Sequence, residues 1–353
     1  VTDKSKAIAV ALLSGGLDST LAARVILEQG ITVIGINFAG AYCPRPFTGK
    51  SHAQKATEKL GIELVTLPID AEFIAMVKNP RHGRGKNMNP CIDCHTLMIR
   101  KAWAWGQAEP EAKSQEPKAK TQRADFVITG EVLGQRPMSQ NRNALNTVAK
   151  GSGVGDRLLR PMSAKLLNVS APEQEGLVDR ERLLDIEGRQ RTRQMALAKK
   201  YGITDYPMPA GGCLLTEKVY SKRLAEAFDH DEDSLEIVEL LSLGRHFRLP
   251  SGARLVVGRD EQENDELLRR KPAGAVVIDA GDLPGPVGLV ISDSRLQIAD
   301  CRARTDEDTT LAARICARFS DKRKEPAVKV KVAETEITVQ PAGEEETARL
   351  LIA

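Results

Sequence analysis

Two short segments carry residue types that could do chemistry. The first is Ser14-Gly15-Gly16-Leu17-Asp18-Ser19, which joins an apolar run to an amphipathic one. Its paired glycines let the backbone turn sharply and aim N–H groups at an anion. The helix that follows would add its positive N-terminal end, so a phosphate or pyrophosphate meets several converging donors. Ser14 and Ser19 offer hydroxyls as well. Asp18 cannot favour a bare phosphate and reads as a magnesium anchor or as an acceptor orienting the loop. The spacing is not that of a G-x-x-x-x-G-K-[ST] loop.

The second segment is Asn89-Pro90-Cys91-Ile92-Asp93-Cys94-His95, with Cys213 far away in Gly211-Gly212-Cys213-Leu214-Leu215-Thr216. Three chemistries are open. Cys91, Cys94 and Cys213 could hold an iron–sulfur cluster, whose fourth iron is then free to accept hydrosulfide. They could hold tetrahedral zinc, with His95 or another residue as fourth ligand. Or two of them could do persulfide and disulfide chemistry without metal, the thiolate being the nucleophile. The C-x-x-C-H pattern of covalent haem attachment belongs to exported proteins, and no export signal is visible here. Cys43, Cys301 and Cys316 lack a motif and read as packing or incidental thiols.

The surrounding pattern shows how these segments would be held. Ala7–Leu13 is a continuous apolar run, as in a strand buried on both faces. Ser19–Gln29 has helical spacing and stops at Gly30; Ile31–Phe38 is a second strand. Ser51–Leu60 reads as a helix ended by Gly61, Ile62–Ile69 as a third strand, and Cys91–Gln107 as a helix after the polar loop Lys78–Pro90. Strands alternating with helices through short connections predict a parallel sheet covered on both faces. Phe126–Thr129 and Leu158–Met162 continue the strand pattern, and Arg180–Tyr201 reads as one charged helix. Residues 109–123 are low in complexity and read as a surface insertion. After the acidic run at Asp229–Asp233 come short apolar runs divided by Gly and Pro. The expected organisation is α/β: a domain over 1–228 followed by a smaller α+β domain over 234–353.

Composition sets wide bounds. A chain of 353 residues with 41% hydrophobic content can bury a substantial core. No run approaches the length of a membrane span, so no membrane association is expected, and the absence of an export signal points to the cytoplasm. Six cysteines are too sparse for a secreted disulfide scaffold. Net charge is +3, yet residues 1–228 hold 33 Lys and Arg against 23 Asp and Glu, while 229–353 hold 18 against 25. A basic front half suits a polyanionic partner, and equally suits simple solubility.

The loop in its strand–turn–helix setting resembles the signature of PP-loop ATP pyrophosphatases, the adenine nucleotide α-hydrolase-like fold. Those enzymes split ATP into AMP and pyrophosphate and use the AMP to activate a substrate oxygen. Further segments extend the likeness over roughly residues 6–228. They are Asn89-Pro90-Cys91 with Cys94, Ile128-Thr129-Gly130-Glu131, Leu133-Gly134-Gln135-Arg136-Pro137-Met138-Ser139-Gln140, Leu159-Arg160-Pro161 with Lys165, and Gly211-Gly212-Cys213. Together they resemble the PP-loop tRNA thiouridylases, the group of 4-thiouridine synthetases and 2-thiouridylases.

The resemblance implies an ATP-dependent tRNA sulfurtransferase. Ser14, Gly15, Gly16, Asp18 and Ser19 would bind ATP with Mg2+, and Gly130 would lie beside the nucleotide. Asp18, Cys91, Cys94 and Cys213 would be catalytic. In the iron–sulfur-dependent members a C-x-x-C pair and one distant cysteine serve a 4Fe-4S cluster, a pattern that Cys91, Cys94 and Cys213 match; zinc or no metal are the alternatives. A uridine carbonyl oxygen would be adenylated and replaced by sulfur from sulfide or a sulfur-donor protein. No rhodanese-like domain is visible, which favours sulfide. The rival readings are a zinc-bound PP-loop ligase or amidotransferase of the deazaguanine type, and a non-catalytic RNA-binding or sulfur-trafficking factor. The C-terminal segment, with Leu243-Gly244-Arg245, Val257-Gly258-Arg259 and Asn264, resembles the RNA-binding domain of ribosome-associated quality-control proteins. An RNA-binding role and a stabilising or homodimer-forming role are both open for it.

Overall fold

The computed structural model describes residues 7–42, 49–108, 123–207, 213–279, 285–292 and 301–353, the last with backbone only over 301–306. The insertion expected at 109–123 falls almost wholly outside them, as do Cys43, Gly211 and Gly212. Contacts divide the chain into two units, Val1–Cys213 and Leu214–Ala353.

The first unit runs β1 (Ile8–Leu12), α1 (Leu17–Leu27), β2 (Thr32–Ala39), α2 (His52–Leu60), β3 (Glu63–Pro68), α3 (Ala71–Lys78) and α4 (Cys91–Gln107). It continues with β4 (Phe126–Ile128), α5 (Arg142–Gly151), β5 (Leu158–Leu159), α6 (Ala171–Gln174) and α7 (Thr192–Lys200). Its five strands form one sheet in the order β3-β2-β1-β4-β5, parallel at every pairing. The apolar run of β1 is central, and Ala9 and Val10 are fully buried.

Local chemistry sets the helix ends. Ser51 and Gln54 form a reciprocal capping box at the start of α2, and Gly61 ends it in the left-handed conformation. The strand order has one functional consequence. The chain steps outward from β1 through β2 to β3, then returns to lay β4 on the other side of β1. Loops leaving β1 and β4 therefore diverge, which opens a crevice at the carboxyl ends of those strands, the usual ligand position in such sheets.

One expected element is different. Instead of one helix over Arg180–Tyr201, a 3-10 turn covers Arg180–Arg182 and α7 begins only at Thr192. Between them the backbone is tied to segments remote in sequence. Leu184 N donates to Pro161 O (3.0 Å), Ile186 N to Met162 O (2.9 Å) and Gly188 N to Leu133 O (2.8 Å). Helical propensity yields here to these tertiary hydrogen bonds, which place Leu183 and Ile186 in the core.

The second unit comprises α8 (Lys218–Asp229), α9 (Leu235–Leu240), β6 (Arg245–Arg248), β7 (Arg254–Val257), α10 (Glu261–Arg269), β8 (Val276–Asp279), β9 (Gly288–Ile291), α11 (Cys301–Arg318), β10 (Val328–Val332), β11 (Thr335–Val339) and α12 (Glu344–Leu350). Its sheet has the order β11-β10-β8-β9-β7-β6, antiparallel throughout. Ala312, Ala313, Ile315 and Cys316 of α11 join Leu255, Ile278 and Val290 in its core. Fully buried Arg254 donates to both Glu226 and Glu232, and Arg248 pairs with the same two carboxylates. That cluster fixes α8 to the sheet. Among the described residues no helix is long and apolar enough to cross a membrane.

Candidate active site

The loop after β1 is shaped by two close backbone approaches. Gly15 has φ +77°, and a Cβ there would lie 2.2 Å from the carbonyl carbon of His52, so the loop rests on the start of α2. At Gly130, just past β4, a Cβ would lie 2.4 Å from Ser19 N and 2.5 Å from Ser19 Cα. The end of β4 thus packs directly on the first turn of α1. Ser19 Oγ donates to Gly16 O (3.0 Å) and Thr20 Oγ1 to the same carbonyl (2.9 Å), fixing the turn from within. The amides of the first turn of α1 have no partner inside the helix, which leaves them for an anion in the crevice. Gly130→Ala is expected to lower stability by about 1–3 kcal/mol through overpacking. A chemical-denaturation midpoint equal to wild type would show that the turn can give way.

Asp18 is nearly buried, at 8% exposure. Its Oδ2 accepts from Gln135 Nε2 and from Arg191 Nη2, each at 3.1 Å. Its Oδ1 is buried with no hydrogen-bond partner. An unpartnered carboxylate oxygen is costly, and it suits coordination to a hard cation, for which oxygen ligands are preferred. Asp18 Oδ1 is therefore the atom here that suits a magnesium ion. Arg191 reaches Asp18 because the extended segment before α7 is hydrogen-bonded to Leu133, and Leu133 N in turn donates to Ser163 Oγ (2.9 Å).

The cysteine segment lies on the first turn of α4. Cys94 N donates to Pro90 O (2.9 Å), and both Cys91 and Cys94 are half-buried. The next residue, His95, donates through Nδ1 to Glu131 Oε1 at 2.8 Å. Glu131 Oε2 accepts from Arg160 Nε (2.8 Å) and Thr129 Oγ1 (3.0 Å). Burial alone would raise the Glu131 pKa, but the Arg160 guanidinium and His95 outweigh it and hold the carboxyl well below its usual range. Glu131 adjoins Gly130, so one buried ion network links the cysteine turn to the strand end that supports the phosphate loop.

Cys213 is half-buried and its thiol donates to Tyr42 O at 3.7 Å. Among the described residues no group of three or more His, Cys, Asp or Glu side chains is arranged to hold a metal. The structure thus brings Ser14, Gly15, Gly16, Asp18, Ser19 and Gly130 together, and sets Cys91 and Cys94 on one turn, without gathering Cys213 with them as a ligand set. Cys316 is a buried thiol pushed up to about 12 by desolvation, with Asp279 adding to the shift, which makes it inert.

Sequence reading missed Arg191 as a partner of Asp18. Lys165 donates instead to the Glu181 carbonyl (2.8 Å) and carboxylate (3.1 Å). Gln135, Glu131 and Arg160 fall within segments that carried the resemblance, yet their roles show only in three dimensions.

Residues 6–104 match the family model described as the tRNA methyl transferase HUP domain, and residues 244–350 match the NFACT protein RNA binding domain. The tRNA-specific 2-thiouridylase MnmA of Symbiobacterium thermophilum is 27% identical over 234 residues, covering 61% of this chain and 54% of that protein. The chain thus spans about half the length of that relative. The protein of the same name from Helicobacter acinonychis is 36% identical over 96 residues, covering 25% of this chain and 27% of its own. A 4-thiouridine synthetase solved in complex with RNA and bound ATP is 20% identical, with a TM-score of 0.34, covering 56% of this chain and 41% of that one.

Proposed function

We propose that this chain is a PP-loop tRNA thiouridylase, an ATP-dependent tRNA sulfurtransferase. The observation that carries the reading is the joining of two centres. The phosphate loop with Asp18 and Arg191 opens on the β1/β4 crevice, and Glu131 connects its supporting strand to the cysteine turn.

In the proposed reaction a uridine carbonyl oxygen attacks the α-phosphorus of ATP, and the bond to the β-phosphate breaks. Loop amides and Arg191 stabilise the departing pyrophosphate, a task of positioning and electrostatics. Magnesium bound at Asp18 would neutralise phosphate charge. A sulfur nucleophile handled by the cysteines then attacks the activated carbon, and AMP leaves with the original oxygen. The base must leave its stack to be reached.

Cys91, Cys94 and Cys213 are the proposed sulfur-handling residues. The Cys213 thiol donates to the Tyr42 carbonyl, and among the described residues no three His, Cys, Asp or Glu side chains form a metal-holding group. No step is assigned to a 4Fe-4S cluster. The C-terminal unit is proposed as an RNA-binding module, given the domain its residues 244–350 match.

Two measurements test the proposal. Purified protein should release pyrophosphate from ATP in a tRNA-dependent manner; release without any tRNA dependence would sink the thiolation reading. Iron, acid-labile sulfide and zinc should be measured on anaerobically purified wild type and Cys213→Ala. About four irons with matching sulfide per chain in wild type, lost in the variant, would support a cluster on Cys91, Cys94 and Cys213. Stoichiometric zinc, or no metal in either protein, would remove the cluster reading.

A further inference from the structure

The approach to the cysteine turn is a loop of unusual composition. From Lys78 to Ile92 the chain carries Lys78, Arg81, His82, Arg84 and Lys86 and no Asp or Glu. Every residue from Arg81 to Asn87 is exposed. Yet the loop is built, not slack. Arg84 Nη2 donates to Val77 O (2.9 Å) and Lys78 O (2.8 Å), covering carbonyls at the end of α3. Gly85 N donates to Asn89 O at 2.8 Å and closes the tip.

The tip is fastened to the cysteine turn itself. Asp93, between Cys91 and Cys94 and only 8% exposed, accepts His82 N on Oδ2 (2.9 Å) and His82 Nδ1 on Oδ1 (2.8 Å). One buried carboxylate on the first turn of α4 thus holds the loop at two points. Arg84 is committed to carbonyls, whereas Arg81 and Lys86 stand exposed with no ion-pair partner among the described residues.

The geometry points to this loop as a contact for the phosphate backbone of RNA, with Arg81 and Lys86 as the phosphate-binding side chains. The inference rests on the reading of the chain as a tRNA-modifying enzyme and names the surface by which its first unit meets that substrate. Charge complementarity selects the partner: a run of cations without one carboxylate suits a polyanion and repels basic surfaces. The Asp93 clamp gives the contact its purpose. A strand lying on the loop would be held at a fixed offset from Cys91 and Cys94, where an unstacked base must arrive. A protein surface of acidic character is the rival occupant, and the test separates them.

The experiment compares wild type, Arg81→Ala/Lys86→Ala, the charge-keeping Arg81→Lys/Lys86→Arg, and Lys59→Ala/Lys150→Ala as an equal loss of charge elsewhere on the unit. Binding of an unmodified tRNA transcript is measured by filter retention over a series of salt concentrations. ATP affinity is measured alongside as a check on the nucleotide site. Removing two phosphate contacts should flatten the slope of log K against log salt by about 1.4–1.8. Affinity at low salt should fall roughly tenfold, with ATP affinity unchanged and the charge-keeping variant close to wild type. Equal slopes for the loop variant and wild type would overturn the assignment, as would equal losses in the loop and control variants. Wild-type protein that binds ATP but no tRNA would overturn both this contact and the tRNA reading. A wild type that binds tRNA through other residues would remove only the contact.

Discussion

Asp18→Asn should lower tRNA-dependent pyrophosphate release by about 10²–10³-fold, the loss typical of removing one preorganised charge-stabilising group. The expectation follows from the two faces of the carboxylate. Oδ2 is held by Gln135 and Arg191, so the group cannot rotate away. Oδ1 is buried and unpartnered, and is the atom suited to a magnesium ion. The amide preserves shape but places an N–H2 on one of these positions and removes the charge. Fold should survive, because Asp18 is bonded to side chains and not to the sheet.

Arg191→Gln separates two roles for the arginine. A guanidinium serving only as counter-ion to Asp18 would change thermal stability and little else. One that also meets pyrophosphate would lower kcat by roughly 10–10² while the protein melts near the wild-type temperature. Pyrophosphate release and thermal melts on both variants decide the matter. Asp18→Asn within threefold of wild-type turnover would remove Asp18 from the proposed chemistry.

The phosphate loop was legible because it is local. A buried apolar strand, two glycines and a helical pattern are contiguous, and the close approaches at Gly15 and Gly130 explain why no side chain could stand there. The cysteine helix was legible for the same reason, as was the strand–helix alternation of the first unit. Arg191 was not. Its segment has the composition of a helix, and only hydrogen bonds to Leu133, Pro161 and Met162 pull it straight. Those partners lie tens of residues away, where no periodicity reports them. Lys165, which has the right charge and a suggestive neighbour, is bonded to Glu181. The sequence carried the charges but not their pairing, and pairing decides which cation meets Asp18.

Glu131→Gln should be the most destabilising single change in the first unit that leaves side-chain volume intact. Arg160 is 7% exposed and Glu131 4%, so the amide strands a buried guanidinium whose remaining hydrogen bond goes to Leu145 O. Removing one partner of a buried pair costs about 3–5 kcal/mol, far more than the net worth of the intact pair. The sign of the pH dependence adds a second readout. The folded pKa of Glu131 lies well below its ordinary value of 4.5, so its contribution is present in full above that value. It declines as pH falls towards the folded pKa. Wild type and Glu131→Gln should therefore differ most near neutral pH and converge in acid. Urea midpoints at pH 7 and at about pH 3 would show this, the gap narrowing at the lower value. A gap that stays constant would mean that shape or Thr129, and not the Arg160 charge pair, holds the network. Because His95 shares the same carboxylate, cysteine alkylation rates measured beside the melts report whether loosening Glu131 also frees the Cys91–Cys94 turn. Faster alkylation under conditions where both proteins remain folded is the expected result, since the network ties that turn to the strand supporting the phosphate loop.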